Sequence, residues 1–371
     1  MFRSMVDVLI IGGGVIGLSL AWELARRGSR VQVVERGEPG REASWAGAGI
    51  LPSASRASSH PYERLCALAC DLHPHWAAQL CELTRIDTGY RRCGGWYLGR
   101  TYGERAALAA WANLARKEGL PIQPVPIDEM RTREPGLYLG HGNGWKIQDV
   151  YLDPDEAQLR NPRHLQALVA ACRLAGVEVI PQVEVRELVV QNGQIVELQT
   201  TRGAMRAGRY CFTAGAWTGK LLGTAVNVLP IRGQMVLFRC DQPPIRRIVN
   251  EGSRYLVPRD DGRLLAGSTE EEVGFDKRTT EEGITELTAF ARQLVPALAD
   301  AEIERTWAGL RPASLDGLPY MGRLPGLANA LVAAGHFRSG LYLSPAVAVV
   351  MSQLLRDEQP QIDLTPLGVL R

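Results

Sequence analysis

Charge of one sign is missing from this chain. Its 371 residues carry 42 basic and 40 acidic side chains, a net of +2. That argues against nucleic acid as the main partner, because such proteins carry a marked basic excess. Long apolar runs are missing too. None approaches the ~20 residues of a membrane span, so a cytoplasmic protein is expected. Cysteine is sparse and unpatterned: Cys66, Cys70, Cys81, Cys93, Cys172, Cys211 and Cys240 are odd in number and contain no C-x-x-C. Cys66 and Cys70 sit one helical turn apart, but no second pair follows at zinc-like spacing, so reduced buried thiols and no metal site are expected. No repeat or low-complexity segment interrupts the chain. The opening does not read as a leader peptide, because Asp7 breaks the apolar run and that run is needed as a strand. What remains is a globular chain, 46% apolar, long enough for two domains, or one large and one small.

What is present begins at Val6. Val6–Ile11 is an apolar, β-branched run, followed by Gly12-Gly13-Gly14-Val15-Ile16-Gly17 and an apolar-periodic stretch from Leu18 to Ala25. Gly28 closes that stretch, Val31–Val34 is a second β-like run, and Glu35 ends it. The order strand, glycine turn, helix, strand, acid is the context in which G-x-G-x-x-G binds a dinucleotide. Gly12 permits the tight turn, Gly14 lets a pyrophosphate approach the backbone, and Gly17 lets helix pack on strand. The helix N-terminus points N–H groups at the phosphates, and Glu35 can accept from a ribose hydroxyl. The motif alone does not separate FAD from NAD.

Further along, the spacing predicts helices over His60–Arg85, Glu104–Glu118 and Ile127–Glu134, and short strands at Cys93–Leu98 and Trp145–Tyr151. Asn161 reads as the N-cap of a helix with Pro162 at its first position, running to about Leu174. Val177–Ile180 reads as a strand. The Val183–Val190, Ile195–Thr201 and Arg209–Thr213 runs read as an antiparallel meander turning at Asn192-Gly193. Leu229–Arg239, Tyr255–Pro258 and Arg263–Gly267 are β-like, with a hairpin turn at Asp260-Asp261-Gly262, and Thr280–Leu294 is a helix. Ala330–Ala334 is a strand, and a helix is expected from about Ser344 to Leu355.

Ser44-Trp45-Ala46-Gly47-Ala48-Gly49 adds a second stretch of small residues after the nucleotide unit. Thr213-Ala214-Gly215-Ala216-Trp217 follows a strand. Trp307-Ala308-Gly309-Leu310-Arg311-Pro312 and Gly335-His336-Phe337-Arg338-Ser339-Gly340-Leu341 close the chain. With Gly12–Gly17 and Glu35, these segments resemble the FAD-dependent amine oxidases of the D-amino acid oxidase family, and within it the branch that oxidises glycine for thiamine thiazole synthesis. The resemblance covers nearly the whole chain. It implies an α/β fold: a Rossmann-like FAD-binding domain of the D-amino acid oxidase type with an inserted α+β antiparallel-sheet substrate domain. The expected division is 1–88, 146–225 and 304–371 for FAD, and 89–145 and 226–303 for substrate.

The resemblance also implies noncovalent FAD, since no cysteine falls between Arg311 and Asp316. FAD is expected to contact Gly12, Gly14, Val15, Ile16, Gly17, Glu35, Arg36, Ala43, Ser44, Ala48, Gly49, Ile50, Val185 and Gly215. His336, Phe337, Arg338, Ser339, Gly340, Leu341 and Tyr342 are expected along the isoalloxazine. Arg311 matches the family's carboxylate-binding arginine, a planar fork that lysine cannot imitate. Tyr255 matches a second donor to that carboxylate, and Arg338 a second arginine near the substrate. The implied reaction is oxidative deamination of glycine or another small amine such as sarcosine or D-alanine, with O2 as acceptor and peroxide and an imine or glyoxylate as products. Homotetramers occur in the resembled branch.

Several readings stay open. Tyr255 also suits an interior strand, and His336 reads either as a base or as a loop residue whose backbone matters. Ser253 and Glu270 depart from the branch, and Glu270 is either an acid facing the substrate ammonium or surface charge. Rival functions are a D-amino acid dehydrogenase feeding a quinone or carrier, a non-catalytic FAD-binding scaffold, and an NAD-linked enzyme.

Overall fold

The computed structural model describes residues 6–140, 145–223 and 226–371. The expected division at 225/226 borders residues outside that set. Two large sheets organise the chain. The first has six strands in the order Tyr320–Arg323, Ala330–Ala334, Ala207–Phe212, Val6–Ile11 (β1), Val31–Val34 (β2) and Glu178–Ile180. All neighbours run parallel except the Tyr320–Arg323 edge. The helix between β1 and β2, Val15–Arg26 (α1), makes the crossover connection that parallel strands need. A parallel sheet is covered on both faces, so its strands are apolar throughout. In β1, Val8 and Ile10 pack with α1 and the Asn161–Leu174 and Gly340–Leu355 helices, whereas Leu9 and Ile11 pack toward a small sheet formed by residues 185–205.

That small sheet corrects the expected meander. The Val185–Gln191 and Gln194–Thr200 strands do form a hairpin through Asn192 and Gly193, both at positive φ. Its third strand, however, is Gly203–Met205, and Ala207–Phe212 leaves to pair between β1 and Ala330–Ala334. Tyr210, Cys211 and Phe212 are buried in succession, which suits a strand covered on both faces and not a half-solvated meander. Two helix starts also differ. Asn161 is the first residue of its helix, not the cap: its Nδ2 donates to the Ser44 carbonyl at 2.7 Å, and its Oδ1 accepts from no amide among the described residues. The last helix begins at Gly340, and Pro345 sits inside it. Proline cannot donate to the Leu341 carbonyl, and the Ser344 hydroxyl donates to it at 2.9 Å instead.

The second sheet has eight strands in the order Glu302–Ser314, Val228–Arg239, Arg263–Gly267, Arg254–Pro258, Ile248–Glu251, Gly95–Gly99, Asp149–Asp153 and Gln123–Pro124. It is antiparallel except where Ile248–Glu251 meets Gly95–Gly99. The strand Glu302–Ser314 spans the expected division at 303/304, and Asp149–Asp153, expected on the FAD side of 145/146, pairs in this second sheet. Alternation along the strands sorts the faces. Val236, Phe238, Leu264 and Ala266 pack under the Glu281–Leu294 helix, while Met235, Leu265, Tyr255 and Val257 turn to the other side. That second face looks onto the end of the first sheet, and the space between is the molecule's main cavity.

Candidate active site

The cavity has a volume of about 510 Å³, within the usual range of cofactor and ligand sites. One end is built by backbone. Gly12 has φ of +114°, and a Cβ there would lie 2.5 Å from the Thr213 carbonyl oxygen. Gly17 does not line the cavity. It faces the turn, where a Cβ would meet the Gly12 oxygen at 2.0 Å and Thr213 Oγ1 at 2.6 Å. Thr213 Oγ1 donates to the Gly12 carbonyl at 2.8 Å, so the third parallel strand pins the turn. Glu35 Oε2 accepts from the Gly13 amide at 2.8 Å, and its Oε1 from the Gly37 amide at 2.9 Å. Each carboxylate oxygen keeps further acceptor capacity toward the cavity. Ser44 Oγ accepts from the Val15 amide at 3.0 Å, tying the second small-residue stretch to the start of α1.

Gly47 and Gly49 are small for a protein reason. Cβ atoms there would lie 3.0 Å from Asn161 Nδ2 and 2.0 Å from the Leu159 oxygen respectively. They admit the neighbouring segment rather than opening the backbone to a ligand. Arg259, which no motif pointed to, is buried beneath and donates to the Ala48 carbonyl at 2.7 Å, to Gln158 Oε1 at 2.7 Å and to the Leu159 carbonyl at 3.0 Å. Burial pulls its guanidinium down to about 9.

Of the residues expected around FAD, Gly12, Gly14, Val15, Ile16, Glu35, Arg36, Ala43, Ser44, Ala48, Gly49, Ile50, Val185, Gly215 and 336–342 all line this one cavity. Turn, helix N-terminus and acid together fit a dinucleotide: the turn has no Cβ toward the cavity at Gly12 or Gly14, and α1 opens onto it.

The other end is built by side chains. Arg311 lies on the Glu302–Ser314 strand, and its guanidinium occupies the space above Gly233, where a Cβ would come within 2.2 Å of Nη2. Nη2 donates to Ser268 Oγ at 2.5 Å and Nη1 to the Thr269 carbonyl at 3.1 Å. Burial holds Arg311 below its ordinary value, and Tyr255 beside it works the other way. Nη1 also reaches the Arg232 carbonyl at 3.5 Å; all three partners are neutral, and among the described residues no carboxylate lies within ion-pair distance, although Glu270 attracts it from farther off. The Tyr255 hydroxyl, also at the cavity wall, stands beside Arg311 and donates to the Met235 sulfur at 3.5 Å, a weak acceptor. Gly267 makes room for both Tyr255 and Met235.

Arg338 is half-exposed at the rim. It donates to the Ser253 carbonyl at 3.1 Å and approaches Glu270 Oε2 at 3.7 Å. Glu270 is thus turned to Arg338, and Ser253 contributes its carbonyl there. His336 is buried, burial pushes its imidazole down to about 4, and Nε2 has no partner among the described residues. It is neutral at pH 7. Its backbone is engaged: the Ser339 amide donates to the His336 carbonyl at 2.8 Å, and the next amide, Phe337, donates to Pro312 at 2.7 Å. Three further wall residues, Tyr97, Glu156 and Asn250, were not anticipated. Glu156 stands in Asp153-Pro154-Asp155-Glu156, which in sequence is indistinguishable from a solvated acidic loop.

Comparison with known proteins places the chain in a family. The family model described as "FAD dependent oxidoreductase" aligns with residues 7–354. Glycine oxidase of Pseudomonas aeruginosa is 39% identical over 97% of each chain. The bifunctional protein ThiO/ThiG of Trichormus variabilis is 33% identical over 95% of this chain and 53% of its own length. The solved glycine oxidase of Geobacillus kaustophilus superposes with a TM-score of 0.92 at 33% identity, over 98% of both chains. The chain therefore belongs to the DAO family of FAD-dependent oxidoreductases.

Proposed function

We propose that this protein oxidises glycine, and other small amino acids, with noncovalently bound FAD and dioxygen, and that it serves thiamine thiazole synthesis. The observation that carries the reading is Arg311, a partly buried guanidinium on the cavity wall whose hydrogen-bond partners are all neutral. A buried charge without a counter-charge is costly, and a substrate carboxylate supplies one through two parallel charge-assisted bonds. Tyr255 offers its hydroxyl to the same carboxylate, and Arg338 closes the rim.

Gly12, Gly14 and the first turn of α1 would hold the pyrophosphate of FAD, Glu35 its ribose, and residues 336–342 its ring end. FAD held there would supply a hydride acceptor that dioxygen can reoxidise, with hydrogen peroxide as product. The chain's task is to orient Cα and to receive an amine that has lost its proton, because nitrogen gains π character as the hydride leaves. The resulting imine hydrolyses to glyoxylate or passes on to thiazole formation. The relatives named glycine oxidase and ThiO/ThiG support this substrate and this setting.

Purified protein is expected to be yellow, to bleach with glycine under anaerobic conditions, and to release peroxide in air. A colourless protein, or a yellow one that glycine, sarcosine, D-alanine and D-proline all fail to bleach, overturns the reading. Bleaching with dye reduction but no peroxide would point instead to the dehydrogenase alternative.

A further inference from the structure

The eight-stranded sheet presents a row of side chains to the cavity. Tyr97 is registered against Asn250, and Asn250 against Tyr255. Cross-strand partners share a face, so the three stand side by side. Glu156 reaches this row from the segment after the Asp149–Asp153 strand. It accepts from the Tyr97 hydroxyl at 3.1 Å and from Asn250 Nδ2 at 3.1 Å. Space for its carboxyl exists because residue 95 is glycine: a Cβ there would lie 1.4 Å from Oε2. Glu156 is 1% exposed, yet it lines the same cavity as Tyr255 and Arg311. Both of its partners are neutral, and among the described residues no basic side chain pairs with it.

As a purely structural element this arrangement is expensive, since a buried carboxyl lacks a cation and a partly buried guanidinium in the same cavity has no carboxylate within ion-pair distance among the described residues. Together the two are complementary to a zwitterion. The geometry points to Glu156 as the group that receives the substrate's amine, accepting the proton that the ammonium sheds before hydride leaves Cα. The transfer balances: the ammonium N–H bond breaks, its electron pair stays on nitrogen, and an O–H bond forms on Glu156. No other reactant enters. The inference rests on the amino-acid oxidation proposed above and adds its amine-side residue.

Burial, with Asp153 nearby, pushes the Glu156 carboxyl up to about 8, so the proton-accepting carboxylate forms as pH rises through that value. Tyr97 and Asn250 donate to the carboxylate and favour its charged form. Glu270, the other acid near the site, is about half exposed and faces Arg338.

The test is the limiting rate of anaerobic flavin reduction by glycine as a function of pH, together with binding of glycolate, which has the carboxylate but no amine. Wild type is expected to speed up as pH rises through about 8. Glu156→Gln is expected to lose that limb and to react about tenfold or more slowly at pH 7, while glycolate binding stays within about twofold. Tyr97→Phe, which removes one donor to the carboxylate, is expected to move the limb upward, and Glu270→Gln to leave it in place. A Glu156→Gln protein that keeps the wild-type limb overturns the inference. So does a limb that moves with Glu270→Gln, or a loss of glycolate binding equal to that of glycine. If Glu156→Gln does not fold, Tyr97→Phe decides, and an unmoved limb counts against Glu156. A wild-type protein that no small amino acid reduces fails at the parent reading. One that glycine reduces with no change in these variants fails at Glu156 alone.

Discussion

The two ends of the cavity are made of different material. At the nucleotide end the working groups are backbone amides and absent Cβ atoms, concentrated within residues 12–49 and held by Thr213. At the substrate end they are side chains, Arg311, Tyr255 and Glu156, brought together from strands far apart in sequence. A backbone-built site tolerates changes of side chain but not the addition of a methyl group. A side-chain-built site tolerates small shifts of backbone but not the loss of a charge. The same glycine economy serves both ends, since Gly233 and Gly95 make room for Arg311 and Glu156 as Gly12 does for Thr213.

The largest expected effect breaks the side-chain end. Arg311→Ala should cost about 2–5 kcal/mol in recognition of carboxylate substrates, the range for removing one partner of a buried charge pair. That is roughly 30- to several-thousand-fold in the second-order rate of flavin reduction, with flavin content unchanged. Kinetics like those of wild type would remove Arg311 from the site. The matching break at the backbone end is Gly17→Ala. Its Cβ meets the Gly12 oxygen and Thr213 Oγ1, so overpacking should cost ~1–3 kcal/mol. A lowered Tm and flavin lost on gel filtration are the expected signs, and an unchanged Tm would mean that the turn gives more freely than its contacts suggest.

Next comes pH. Behind the nucleotide end, burial holds His73 at about 4 and His164 at about 3. A base with a depressed folded value keeps its contribution above the unfolded value of about 6.5 and loses it as pH falls toward 4, because the unfolded chain then binds more protons. Each histidine adds at most about 1.4 kcal/mol per pH unit. Glu156 has the opposite sign: its folded value is raised, so its contribution is lost as pH rises from about 4.5 through 8. Melting curves should therefore show His164→Leu flattening the acid slope between pH 6.5 and 4, and Glu156→Gln flattening the alkaline one. A parallel shift of the whole curve in either variant would contradict that assignment. The smallest effect sharpens the comparison without breaking it. Thr213→Val removes the hydroxyl that pins the Gly12 carbonyl. It should cost about 1 kcal/mol and lower Tm by about 1–2 °C, with glycine kinetics at saturating FAD unchanged.

The nucleotide cradle could be read from residues 6–35 alone because its physics is local. A glycine turn, a helix start and an acid at a strand tip follow one another within one βαβ unit, and each residue's backbone demand shows in its type. Arg311 and Tyr255 needed the resemblance to a family, since an arginine on a strand looks the same whether it faces water or a carboxylate. Glu156, Asn250 and Arg259 left no trace. Their roles depend on which strands become neighbours, and pairing such as Asn250 with Tyr97 is set by sheet register over a long separation. The path of Ala207–Phe212 into the parallel sheet has the same origin. Its apolar run fits several partners, and the choice among them falls to whichever packing buries both of its faces at once.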